Sequence, residues 1–81
     1  MTLDLLKVNE VGIITGYEGN KSRKQLLAMG LTRNTQVQVV RVAPLGDPIE
    51  IKLRGFSLTL RKSNAAQIHV NKVWQVLYFI I

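Results

Sequence analysis

Few residues in this chain could do chemistry. It holds one histidine, five carboxylates and no cysteine in 81 residues. Catalysis by a nucleophile or by an acid–base pair needs Ser, Cys, His or carboxylates that converge in a pocket. Asp4, Glu10, Glu18, Asp47 and Glu50 are instead scattered, and His69 lies on a short alternating stretch, QIHV (67–70), that turns it outward between Ile68 and Val70. It reads as a surface histidine. No GxxxxGK[ST] phosphate loop is present, and Gly12, Gly16 and Gly19 lack GxGxxG spacing before a helix. A metal site would have to be assembled from these same side chains without HxxxH or ExxH spacing. The expectation is no enzyme, no cofactor and no dedicated metal site.

Charge points to partners instead. Eleven Lys and Arg against five Asp and Glu give a net charge of +6, and beyond residue 20 the chain is lopsidedly basic. Such a balance favours nucleic acid, an anionic membrane surface or an acidic protein face. Binding to single strands usually needs aromatic platforms among the cations, yet Trp74, Tyr78 and Phe79 fall in the C-terminal stretch, leaving only Tyr17 and Phe56. Lys52, Arg54, Arg61 and Lys62, on outward strand positions, are read as a solvated face rather than a phosphate track. No nucleic acid is expected as partner. Nor is there the aromatic groove that a proline-rich ligand requires. No segment reaches the roughly 18–20 apolar residues of a membrane-spanning helix, so no direct membrane insertion is expected. MTLDLLKVNE lacks a charged flank followed by an apolar run and is read as no secretory signal. Absence of cysteine fits a reducing compartment, and the cytoplasm is the expected location.

The elements that must position these groups follow from periodicity. Residues 1–81 are expected to form one domain with a single small core. IEIKLR (49–54) and SLTLR (57–61) alternate apolar and polar residues, with Gly55-Phe56 as the tight connection of a hairpin. TQVQVVRV (35–42) alternates and then changes phase at Val40, which predicts a bulge. VGIITGY (11–17) reads as a strand with glycines where bending or close approach is wanted, and QIHV as another. One helix is predicted in NKSRKQLLAMGL (20–31), capped by Asn20 or Ser22 and stopped at Gly30, with Leu31 folding back. KSNAAQ (62–67) suggests a helical turn capped by Ser63 or Asn64. The fold class is therefore mainly β. About five strands with one short helix inserted after the first close most simply as a small SH3-like barrel, with an OB-like barrel as second choice.

The stiffest segment is APLGDPIEI (43–51), which holds both prolines of the chain. Pro44 and Pro48 fix their own φ and bias the residues before them, Gly46 permits a turn closed to other residues, and Asp47 can bond a nearby backbone N–H. Loops held in one shape lose less entropy on binding. LLAMGL (26–31), together with RVAPLGDPIEIKLRGFSLTLRKSNAAQIHV (41–70), resembles the FeoA family of ferrous iron transport proteins, and LDLLKVNEVGIITGYEG resembles that family's opening. The resemblance implies an SH3-like barrel with a helical insertion. It also implies an accessory role toward the FeoB transporter, whose cytoplasmic side carries a G-protein domain, and a place in the cytoplasm or peripheral at the inner membrane through that partner. The expected partner contacts are Leu26, Met29 and Leu31 on the helix and Leu45, Gly46, Asp47 and Pro48 on the loop. On the helix, Leu27 and Leu31 can face the barrel while Leu26 and Met29 face partly outward, the alternative being that all four are core.

Two alternatives remain open at this level, a basic nucleic-acid-binding barrel and a regulatory module like the barrels appended to metal-dependent repressors. The stretch NKVWQVLYFII (71–81) extends past the family pattern. Too short to span a bilayer and too apolar to stay exposed, it is expected to pack on its own barrel or to join copies of the chain in a homo-oligomer.

Overall fold

The computed structural model describes residues 1–73, and of residues 20–22 the backbone alone. A 3₁₀ turn, Leu3–Leu5, leads to β1 (Val11–Tyr17), α1 (Asn20–Ala28), β2 (Gln36–Val42), β3 (Ile49–Leu53), β4 (Phe56–Leu60), the single-turn α2 (Lys62–Ala65) and β5 (Ile68–Val73). All five strands are antiparallel in one sheet, ordered β4-β3-β2-β1-β5. The fold is SH3-like and mainly β, with one helix of more than a turn inserted after the first strand, as the sequence predicts.

Alternation decides which face is buried. Ile49, Ile51 and Leu53 of β3 and Leu60 of β4 are buried, while Lys52 is exposed. They meet Val37 and Val39 of β2, Ile14 of β1, and Ile68 and Val70 of β5 in one cluster. Burying an aliphatic side chain of this size contributes about 1.5–3 kcal/mol before conformational entropy is charged against it. The predicted phase change in β2 is real, for its register with β3 shifts between Val39 and Arg41. A second shift, between Ile14 and Gly16, breaks the pairing of β1 with β5.

The hairpin turn falls one residue earlier than expected. Phe56 pairs with Leu53, so Arg54 and Gly55 form the turn, with φ of 48° and 84°. Two left-handed residues match the twist of the flanking strands. Arg54 accepts that conformation while its guanidinium donates to Thr32 Oγ1 (3.1 Å) and Thr35 Oγ1 (3.0 Å). It thus leaves the outward strand face to which the sequence assigned it.

α1 begins after Gly19 (φ 75°), so the backbone puts the N-cap position on that glycine rather than on Asn20 or Ser22. Its other end follows the prediction closely. Gly30 N–H donates to Leu27 O (3.0 Å) and Leu31 N–H to Leu26 O (3.1 Å). That double closure needs a left-handed residue, supplied by Gly30 at φ 91°. It also packs the residue after the glycine against the last turn, which is why Leu31 and Leu26 are both buried.

β5 reaches Val73, opposite Val11, so residues 71–73 belong to the sheet rather than to an appended tail. The expected self-packing or homo-oligomer contact through 71–81 otherwise concerns residues 74–81, which lie outside the described residues.

Candidate docking face

The β2–β3 connection is built as a fixed object. Ala43 N–H donates to Pro48 O (3.0 Å), closing its base, and Gly46 N–H donates to Ala43 O (2.7 Å), closing a turn at its tip. Pro44 occupies the first corner, where a φ of about −65° is wanted. Gly46, at φ 87°, continues in the left-handed region that a side chain would resist. The Asp47–Pro48 peptide bond is cis.

Asp47 ties this loop to the rest of the molecule. Its Oδ1 accepts the backbone N–H of Lys62, the first residue of α2, at 2.9 Å. The residue at the cap position, Arg61, offers no side-chain bond of its own. A carboxylate there satisfies an otherwise orphaned donor and meets the positive end of the turn. Capping by Ser63 or Asn64 is thereby corrected, the cap coming from 15 residues upstream.

While Asp47 reaches along the surface to α2, the loop points its apolar residue out. Leu45 is 97% exposed at the tip. Two clefts open on either side of Pro48 and Thr59. One, of about 500 Å³, is walled by Arg41, Val42, Ala43, Pro44 and Glu50. The other, of about 440 Å³, is walled by Asp47, Leu60 and Arg61. Arg41 approaches Glu50 only at 4.0 Å and is largely solvated, so that ion pair holds little in place. A leucine knob between prolines, rimmed by arginines, suits a protein surface with an apolar socket and acidic surroundings.

The seven residues expected to contact a partner do not form one surface. Leu45, Gly46, Asp47 and Pro48 stand together at the end of the sheet where β3 begins. Leu26 and Leu31 are corrected, being 1% and 0% exposed in the core, and Met29 is half-buried against that core. The large apolar residue that α1 exposes, among those described, is Leu27. The helix end lies beside the opposite end of β3, where a Cβ on Gly30 would sit 3.6 Å from the Phe56 ring and Arg54 bonds Thr32. Leu27 and the half-exposed Phe56 are thus apolar surface residues that the sequence reading passed over. The signal for Leu27 was present, since the helix-stop motif pairs Leu31 with Leu26 and so turns Leu26 inward.

Titratable groups cluster elsewhere. Glu10 bonds Lys72 Nζ and accepts the Lys7 backbone N–H (2.7 Å), and these bonds, that with Lys72 foremost, hold its carboxyl below the usual glutamate range. Tyr17 donates its hydroxyl to Leu31 O, and burial pushes its pKa up against the pull of Arg33 and Arg23. His69 Nε2 lies 2.8 Å from Glu18 Oε1. Among the described residues no three His, Cys, Asp or Glu side chains gather to hold a metal.

Fold and surface together define a small SH3-like domain that, among the described residues, presents an exposed leucine on a hydrogen-bonded loop. The sequence model of the FeoA domain matches residues 1–72, and the chain belongs to the FeoA family, which serves ferrous iron transport. It is 32% identical over 74 residues to an Fe(2+) transport protein A/Fe(2+) transporter FeoB fusion protein of Porphyromonas gingivalis. That match takes in 90% of this chain and 9% of the relative's length. The NMR structure of a FeoA-like protein from Clostridium acetobutylicum is 33% identical, with a TM-score of 0.86 over 91% of this chain and 87% of that one. A crystal structure of Stenotrophomonas maltophilia FeoA complexed with zinc, named a procaryotic SH3 domain protein, shares the fold at 21% identity, with a TM-score of 0.75 over 88% and 89% of the two chains.

Proposed function

We propose that this chain is a cytoplasmic, non-enzymatic accessory of ferrous iron uptake that docks on the cytoplasmic region of a FeoB-type transporter and modulates its assembly or GTPase cycle. The observation that carries this reading is the relative in which the two proteins form one polypeptide, because fusion makes sense for domains that act on each other. Ferrous iron is the transporter's cargo and needs no site on this domain. The docking element is the loop Ala43–Pro48. Its turn bonds and the Asp47 anchor set its shape before contact, so little ordering entropy opposes binding. Leu45 then supplies the apolar anchor, and Arg41 and Arg61 steer it toward an acidic surface.

The test is copurification of the full chain with the transporter's soluble cytoplasmic domains, with and without guanine nucleotide. Wild type is compared with Leu45→Asp and Leu27→Gln, circular dichroism confirming that all are folded. The expected result is capture of wild type and of Leu27→Gln, and loss with Leu45→Asp. Retention by Leu45→Asp with loss in Leu27→Gln would move the contact to the helix end. No capture of wild type in either nucleotide state would count against docking on the soluble domains.

A further inference from the structure

The edge of the sheet at β4 carries a second kind of surface. Arg54 and Gly55 form a two-residue turn with both φ positive, which makes Leu53 and Phe56 a hydrogen-bonded pair. Alternation along the ladder then leaves Ser57 and Thr59, opposite Lys52 and Glu50, with N–H and C=O groups pointing away from β3. β4 is the last strand on its side of the sheet, and among the described residues no backbone group takes up those bonds. Sheet edges of this kind are templates for a further strand.

We propose that β4 receives an extended segment of another protein, alternating apolar and polar residues between acidic ends. This goes beyond the docking loop and holds whichever protein supplies the strand. The side-chain faces set the alternation, since an added strand lies beside half-exposed Phe56 and partly buried Leu58 on one face and Ser57 and Thr59 on the other. Charge sets the ends. Arg54 precedes the strand, Arg61 and Lys62 follow it, and no acid lies within it. A second copy is disfavoured for the same reason. The antiparallel register that joins Ser57 to Thr59 of a copy brings the cationic flank at Arg54 near the copy's Arg61–Lys62 flank at both ends, and like charges so gathered repel. Cations that repel a second copy attract an acid-flanked strand.

The test uses the full chain, isotope-labelled for amide NMR, and synthetic peptides with an alternating Val/Thr core flanked by glutamates or, in a control, by lysines. In the free protein, exchange at the Ser57 and Thr59 amides is expected to be fast. The glutamate peptide should slow it by about tenfold or more, saturably and less so at high salt, and the lysine peptide should leave it unchanged. Thr59→Pro removes one outward N–H while sparing the bonds to β3, and should weaken the glutamate peptide by about tenfold, read at Ser57. Ser57→Pro, read at Thr59, is the second variant should the first unfold. The proposal is overturned if these amides are already protected in the free protein, if they become protected with protein concentration alone, if both peptides act equally, or if the perturbed amides lie away from β4.

Discussion

The loop Ala43–Pro48 and the end of α1 at Ala28–Leu31 are both glycine-containing, leucine-bearing turns, and they use their leucines in opposite ways. In the helix stop, a pair of backbone bonds folds Leu31 over Leu26, and both side chains vanish into the core. In the loop the bonds close the turn beneath Leu45, and the side chain stands 97% exposed. The loop's polar group instead serves the fold, for Asp47, although exposed, caps α2. An apolar residue belongs to the fold where the backbone around it is still being satisfied. It is left on the surface where the backbone is already closed.

Substitutions sharpen that contrast, beginning with the largest effect. Leu26→Ala removes a buried side chain from a site closed on all sides, and should cost about 2–5 kcal/mol in denaturant unfolding. Gly30→Ala meets only ordinary contact with Phe56, so its cost is that of a left-handed backbone, about 1–2 kcal/mol in the same measurement. Asp47→Ala deprives α2 of its cap, and should cost about 1 kcal/mol and speed exchange of the Lys62 amide. Smaller still is the contribution of Glu10. Its folded pKa is depressed, so the stability it provides is fully present above the ordinary glutamate range and is lost as pH falls through the folded value. In a series of thermal melts the advantage of wild type over Glu10→Gln should therefore shrink steadily below about pH 4.3. Leu45→Ser should leave stability within about 0.5 kcal/mol of wild type. A large loss there would break the contrast and make Leu45 part of the fold.

Much of this was legible in the sequence because it is local. The alternation of IEIKL sets the buried face of β3, and the prolines with Gly46 and Asp47 mark a shaped loop. Gly30 followed by Leu31 spells a helix stop, and the phase slip at Val40 spells the bulge. What escaped depends on residues far apart. Nothing near Lys62 announces that Asp47 will cap it, and nothing in a hairpin places Arg54 against Thr32 and Thr35. Asn71 and Lys72 interrupt the apolar pattern that would extend β5, yet pairing with β1 and the Glu10–Lys72 contact carry the strand to Val73. Of the two placements open for Leu26, the core one holds for a local reason, since a short helix is phased by its closing turn rather than by a count of its leucines.

The N-terminal 3₁₀ turn has a consequence for how the domain can be wired into larger polypeptides. Met1 O accepts the Val70 amide at 2.8 Å, so the first residue lies beside β5, the strand with which the described chain closes. Met1 and β5 thus share one flank of the sheet, while β4 forms the other and the loop leads into β3 next to it. A neighbouring domain joined ahead of Met1 would hold this one from the flank opposite β4, like a hand holding a key by its bow. Tethering of that kind replaces free diffusion by a local concentration in the millimolar range for a short flexible link, so a face of modest intrinsic affinity could remain engaged.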